Sequence, residues 1–219
     1  EPGLPDKHEL IRIFRETAET AGRDHMVWRY DPVLFNERYP AEYHFRAFEA
    51  IAEGICGCTD KVVISFLDCY GKTKRNMRGI PLELPDEETM KRTGERFVKT
   101  AEKYGMTVES CAETVDLSEV GVRHGSCVDP AMIERILGVP VRVKKDKNQR
   151  PECGCVESVE TGAYDTCLCG CKYCYANDSE GAVMRRREEY DVDSPLLCGR
   201  VEEGDRITVR RTSRILTGE

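Results

Sequence analysis

An α/β fold with a parallel sheet, arranged as part of a (β/α) barrel, is what this sequence predicts, and three observations carry that reading. Short apolar or alternating runs are interleaved with amphipathic helical stretches from residue 7 to residue 138, the rhythm of successive βα units. The helical stretches are punctuated, with Asp6, Asp86 and Asp129 where N-caps belong and Gly22, Gly105 and Gly138 where helices stop. Polar and thiol residues gather where the predicted strands end, at Arg29, Asp31, Asp68, Cys69, Cys111, Cys127 and Asp129. In barrels and open α/β sheets that edge carries the site.

Taken in order, Asp6 caps a helix over 7–21, with Glu9 completing a capping-box pattern and Leu10, Ile13, Phe14, Ala18 and Ala21 on one face. A strand follows at Met26–Tyr30, ended by Asp31-Pro32 because proline disfavours helix at the residue before it and donates no backbone hydrogen bond. Pro40 opens a helix to about Ile55, with His44 on its packing stripe. Lys61–Leu67 reads as a buried strand, and Asp86 caps a helix to Tyr104. A third strand at Met106–Glu109, a helical turn near Leu117–Val120 and a fourth strand at Val122–Ser126 precede the Asp129-Pro130 start of a helix. This makes residues 1–140 the partial barrel domain. A strand-like Val139–Val143 crosses into a second segment, residues 141–219, which continues with a basic loop Lys144–Arg150, a cysteine-rich stretch, and a closing hairpin in which Ile207, Val209 and Arg211 alternate with their neighbours.

Composition sets the broad class. The chain has 219 residues, 40% hydrophobic and 33% charged, with a net charge of −7, ordinary for a soluble protein and unlike one that binds nucleic acid through a general basic field. Local basic clusters such as Lys72/Lys74/Arg75/Arg78 keep a nucleic-acid partner open. No apolar run is long enough for a membrane span, and Glu1-Pro2-Gly3 opens no secretory signal, so the expected compartment is the cytoplasm.

Twelve cysteines dominate the chemistry, six of them between Cys153 and Cys174. In a reducing compartment such clustering points to metal rather than to disulfides. Cys167-x3-Cys171-x-Tyr173-Cys174 places three thiolates on one short loop, enough to hold three irons of a [4Fe–4S] cluster and leave the fourth open. A structural zinc built from Cys153-Gly154-Cys155 and Cys171-x2-Cys174 is the competing use of the same residues. Cys111, Cys127, Cys153 and Cys155 number four, enough for a second cluster or a zinc site. His124, three residues before Cys127, is a further candidate ligand or acid, though a local hydrogen bond is its commoner use. No phosphate loop, nucleophile elbow or His-Glu-x-x-His motif is present.

The Cys167–Cys174 motif resembles the cluster loop of radical S-adenosylmethionine (SAM) enzymes, and its continuation Tyr173-Cys174-Tyr175-Ala176-Asn177 is similar to the spore photoproduct lyase-like branch. More of the chain resembles an uncharacterised bacterial family whose C-terminus carries a radical-SAM-like cysteine cluster. The matching stretches are Val27–Pro32, Ile64–Asp68, Gly125–Pro130, Lys145–Arg150, Cys153-Gly154-Cys155 and Ser194–Leu197. The resemblance implies that Cys167, Cys171 and Cys174 ligate iron, with SAM on the open iron and Tyr173 packed beside the cluster or the adenine. The strand-end residues Arg29, Asp31 and Asp68 would take part in binding. It also implies an oxidoreductase or lyase served by an electron donor. The competing expectations are an electron-transfer or sensor protein and a zinc-binding module.

Overall fold

The computed structural model describes residues 1–69 and 71–209. Among them the chain divides into two compact units. A sheet unit takes residues 5–67 and 81–158; a cysteine-loop unit takes residues 1–4, 68–80 and 159–209.

The sheet unit contains α1 (Lys7–Ala21), β1 (Trp28–Val33), α2 (Ala41–Gly54), β2 (Lys61–Phe66), α4 (Glu87–Lys103), β3 (Thr107–Cys111), β4 (Arg123–Gly125) and α5 (Pro130–Leu137); α3 (Gly71–Asn76) lies in the other unit. The four strands form one parallel sheet in the order β1-β2-β3-β4. The parallel α/β architecture is therefore as the alternating pattern predicts, while closure into a barrel is not part of what these strands show. The caps form as the sequence implies: the side chains of Asp6, Asp86 and Asp129 accept from the backbone N–H groups of His8, Thr89 and Ala131.

Strand alternation sends residues of the sheet to two faces. Trp28, Tyr30, Val62, Ile64 and Val108 point to the first, where α2 and α4 supply the opposing wall. Phe48 of α2 and Phe97 of α4 stack with ring centroids 4.2 Å apart, and Trp28 and Tyr30 pack onto them. His44 is buried in this layer. Its Nε2 donates to the Leu34 carbonyl at 2.8 Å and its Nδ1 accepts from the Tyr30 hydroxyl at 2.9 Å, which makes it the neutral Nε2–H tautomer.

Pro32 does not end β1. The strand continues to Val33 through a cis Asp31–Pro32 bond, with a register shift between Tyr30 and Val33. An edge strand tolerates this because one side of its backbone has no partner to bond, and β1 is an edge of this sheet. Val139–Val143 forms no strand; instead an antiparallel bridge joins Lys145 to Val156, flanked by Asp146 N–H donating to the Cys155 carbonyl and Glu157 N–H to the Lys144 carbonyl.

In the cysteine-loop unit the helices are α3 and α6 (Glu180–Glu188), the latter capped by the Ser179 side chain. Residues 190–209 hold no strand, and residues 210 and 211 of the predicted closing hairpin lie outside the described residues.

Candidate functional site

The second face of the sheet is polar. Register places Arg29, Val63, Glu109 and Arg123 in one row, with Asp31 and Ser65 near the C-terminal end of β1 and β2 and Cys111 opposite Gly125. These groups bond to one another. Lys61 Nζ sits 3.0 Å from Glu109 Oε2 and 2.9 Å from Asp129 Oδ2. Burial works against the Lys61 ammonium, but the bonds to Asp129 and Glu109 outweigh it and hold its pKa above the ordinary lysine value. Past Gly125 the chain returns along this face, so that Asp129, the cap of α5, meets Lys61 and Arg135 donates to the Asp24 carbonyl. Gly125 makes room for the arrangement: a Cβ there would stand 2.5 Å from Glu109 Oε2 and 2.8 Å from Glu109 Cβ.

At the C-terminal end of the strands the thiols converge. Cys111 closes β3 and Cys127 lies two residues past β4, with their sulfurs 3.0 Å apart. Arg29 donates to Cys127 Sγ at 2.9 Å and clamps Asp31 Oδ2 at 2.5 Å, while the Ser65 hydroxyl donates to Asp31 Oδ1. The bridge of Lys145 to Val156 brings Cys153 and Cys155 underneath. Both are buried; Cys155 Sγ accepts from the backbone N–H groups of Cys127 at 3.1 Å and Val128 at 3.3 Å, and Cys153 Sγ from the N–H of Cys155. The bond from Cys111, and then the Arg29 guanidinium, lower the Cys127 pKa to about 5 against the opposing effect of burial. The same bond to Cys127, together with burial, pushes Cys111 up.

The second thiol group lies wholly within the cysteine-loop unit. Cys167, Cys169, Cys171 and Cys174 stand close enough for Cys169 to be pushed up first by its bond to Cys167, then by burial, and then by the nearby charges of Cys167, Cys171 and Cys174. The chain's first residues back this loop: Gly3 N–H donates to the Cys169 carbonyl at 2.9 Å, and a Cβ on Gly3 would meet the Leu168 carbonyl oxygen at 2.6 Å. Tyr173 is half-buried, and burial followed by its bond to the Glu1 carboxylate raises its pKa. Asn177 Nδ2 donates to the Cys167 carbonyl at 2.7 Å, while its Oδ1 is buried with no hydrogen-bond partner.

Two of the predicted binding residues, Arg29 and Asp31, are thus joined to each other and to Cys127, whereas Asp68 and Tyr173 belong to the other unit. Among the described residues no group of three or more His, Cys, Asp or Glu side chains has the geometry to hold a single metal ion. The basic cluster of α3 is partly neutralised within its unit, with Arg75 2.7 Å and Lys72 3.9 Å from Asp178. His124 lines a cleft of about 210 Å³ with Ser110, Glu113, Asp116 and Val122.

A family model described as a domain of unknown function, DUF1848, matches residues 1–176. The chain belongs to the DUF1848 family. No curated protein and no solved structure matches it. The DUF1848 match runs two residues past Cys174, so it takes in both thiol groups and the polar face of the sheet. No helix among the described residues is long and apolar enough to cross a membrane.

Reading this DUF1848 sequence by its motifs missed Lys61, Ser65, Glu109 and Gly125. Their signal was present in the strands, where Lys61, Val63 and Ser65 occupy alternate positions of an otherwise apolar run. The register needed to pair them with Glu109 and Gly125 comes only from the sheet.

Proposed function

We propose that this chain is an iron–sulfur protein of the radical SAM type, in which Cys167, Cys171 and Cys174 hold a [4Fe–4S] cluster for a reaction on an organic substrate. The observation that carries the reading is the three-thiol spacing on one loop, Cys167-x3-Cys171-x2-Cys174. Bound iron favours the ionised form of each thiol that ligates it. A cubane is larger than a single ion, so its three ligands need not converge on one point. A cluster with an open iron supplies the one-electron cleavage of the SAM sulfonium to a 5′-deoxyadenosyl radical.

The chain's own residues have definable parts in this reading. Tyr173, half-buried and bonded to Glu1, fixes the aromatic wall of the loop, and Gly3 lets the opening residues lie close against Leu168 and Cys169. The buried Asn177 Oδ1 is an acceptor that costs about 1–3 kcal/mol if left unpaired, and it supports a bound ligand bearing an N–H or O–H donor beside the loop. The sequential strand order supports reading the sheet as an arc of a (β/α) barrel.

Anaerobic reconstitution of the full chain with iron and sulfide should give about four irons per chain, with 5′-deoxyadenosine released on reduction in the presence of SAM. Iron without deoxyadenosine would select the electron-transfer reading, which the Cys169 thiol beside Cys167 favours as a fourth ligand. Stoichiometric zinc in place of iron would overturn both.

A further inference from the structure

We propose that Cys111 and Cys127 of the sheet unit form a redox-active dithiol that exchanges with disulfides, independent of any cluster on the Cys167–Cys174 loop. The two sulfurs lie 3.0 Å apart at the C-terminal end of the parallel strands. Two thiolates on one tetrahedral zinc, each about 2.3 Å from the ion, stand about 3.8 Å apart, whereas a disulfide closes to about 2.05 Å. The observed separation lies between the two. Closing it moves the sulfurs by about 1 Å.

The surroundings divide the roles. Cys127 is exposed and holds the Arg29 guanidinium at 2.9 Å, so it is the attacking sulfur. Cys111 is half-buried directly behind it, in the place of a resolving thiol. Cys153 and Cys155 are buried beneath, and Cys155 Sγ is already taken by two backbone N–H groups. They shape the floor and do not compete for the exposed sulfur. Asp31, braced by Ser65, holds the guanidinium from its other side.

The step balances as thiol–disulfide exchange. The Cys127 thiolate attacks one sulfur of R–S–S–R′; that bond breaks, a Cys127–S–S–R bond forms, and R′–S⁻ leaves and takes a proton from water. The Cys111 thiol gives its proton to water and attacks Cys127 Sγ, expelling R–S⁻, which is protonated in turn. The two cysteines lose two electrons together, and the substrate disulfide gains them as two thiols.

The test uses the full-length protein, reduced and then exposed anaerobically to oxidised glutathione, with remaining thiols blocked and the tryptic peptides mapped by mass spectrometry. A bond linking peptide 104–123 to peptide 124–135, as the dominant product with two glutathiones released per chain, is the expected result. Cys111→Ser should trap one glutathione on Cys127, and Cys127→Ser should abolish both products. Glutathione spread over the cysteines without preference, or a first bond at Cys153 or Cys155, would overturn the proposal. So would one zinc per wild-type chain that is lost equally in both serine variants and that prevents the Cys111–Cys127 bond.

Discussion

The two thiol groups of this protein are built in opposite ways. In the cysteine-loop unit, four cysteines fall within the eight residues 167–174, held by the loop's own backbone, by Asn177, by the Thr73 hydroxyl on the Tyr173 carbonyl and by the first residues of the chain. In the sheet unit, four cysteines come from three separated segments, the end of β3, the turn after β4 and the 153–155 stretch. There they are already organised by a guanidinium, backbone N–H donors and a buried floor. Under the cluster reading, a loop of the first kind would draw its order from the bound metal, whereas a site of the second kind is ordered by the fold.

The largest effect that would break this comparison is loss of iron. Under the cluster reading, Cys171→Ala or Cys174→Ala removes one of three ligands and should bring reconstituted iron from about four per chain to near background. The Cys111→Ser/Cys127→Ser double variant should keep wild-type iron. Iron and acid-labile sulfide analysis checks both, and equal losses from the two kinds of variant would mean that the groups are not independent.

The next effect is on the sheet unit alone. Gly125→Ala places a methyl 2.8 Å from Glu109 Cβ as well as against the carboxylate, and a Cβ cannot swing aside as a carboxylate can. Overpacking of this kind costs about 1–3 kcal/mol. A lower denaturant midpoint is therefore expected, together with a weakened Lys61–Glu109 contact. Iron on the Cys167–Cys174 loop should stay unchanged. An unaltered midpoint would show that the strands open to admit the methyl, and that Gly125 is not what sets the register of the polar face.

How much of this could be read from the sequence follows the same division. The loop could be proposed as a cluster site from the sequence because its spacing is local: Cys167, Cys171 and Cys174 make up the motif without any knowledge of the fold. The helices were legible because Asp6, Asp86 and Asp129 are short-range caps. The gathering of Cys111 and Cys127 could be read as far as both end predicted strands, and Arg29 and Asp31 could be read for the same reason. The bond from Arg29 to Cys127 spans 98 residues and joins opposite edges of the β1-β2-β3-β4 sheet, because the chain past Gly125 returns across the polar face, a path that no local pattern in the sequence announces. Pro32 misled because a proline's effect depends on whether its strand lies at an edge, which is a property of the sheet and not of the run. Val139–Val143 misled because its alternation reads as a strand, whereas the run holds no more than a single-residue bridge at Val141, and a further bridge pairs Lys145 with Val156.

The smallest effect separates the sheet unit's core from its thiols by pH. Burial lowers the His44 pKa, offset only in part by the bond to the Leu34 carbonyl. A histidine whose folded value lies below its unfolded value of about 6.5 binds more protons when unfolded, so stability is full above that pH and is lost as pH falls through the folded value. One proton limits the slope to about 1.4 kcal/mol per pH unit. The midpoint for unfolding of the sheet unit should therefore drop between about pH 7 and pH 5.5. His44→Gln can still donate to Leu34 and accept from Tyr30, so it should keep most of the stability at neutral pH and flatten the slope. If the slope persists in His44→Gln, the titrating group lies elsewhere. The Cys127 thiolate beside Arg29 is then the next to replace, because its lowered pKa of about 5 produces a loss of stability in the same direction as pH falls toward that value.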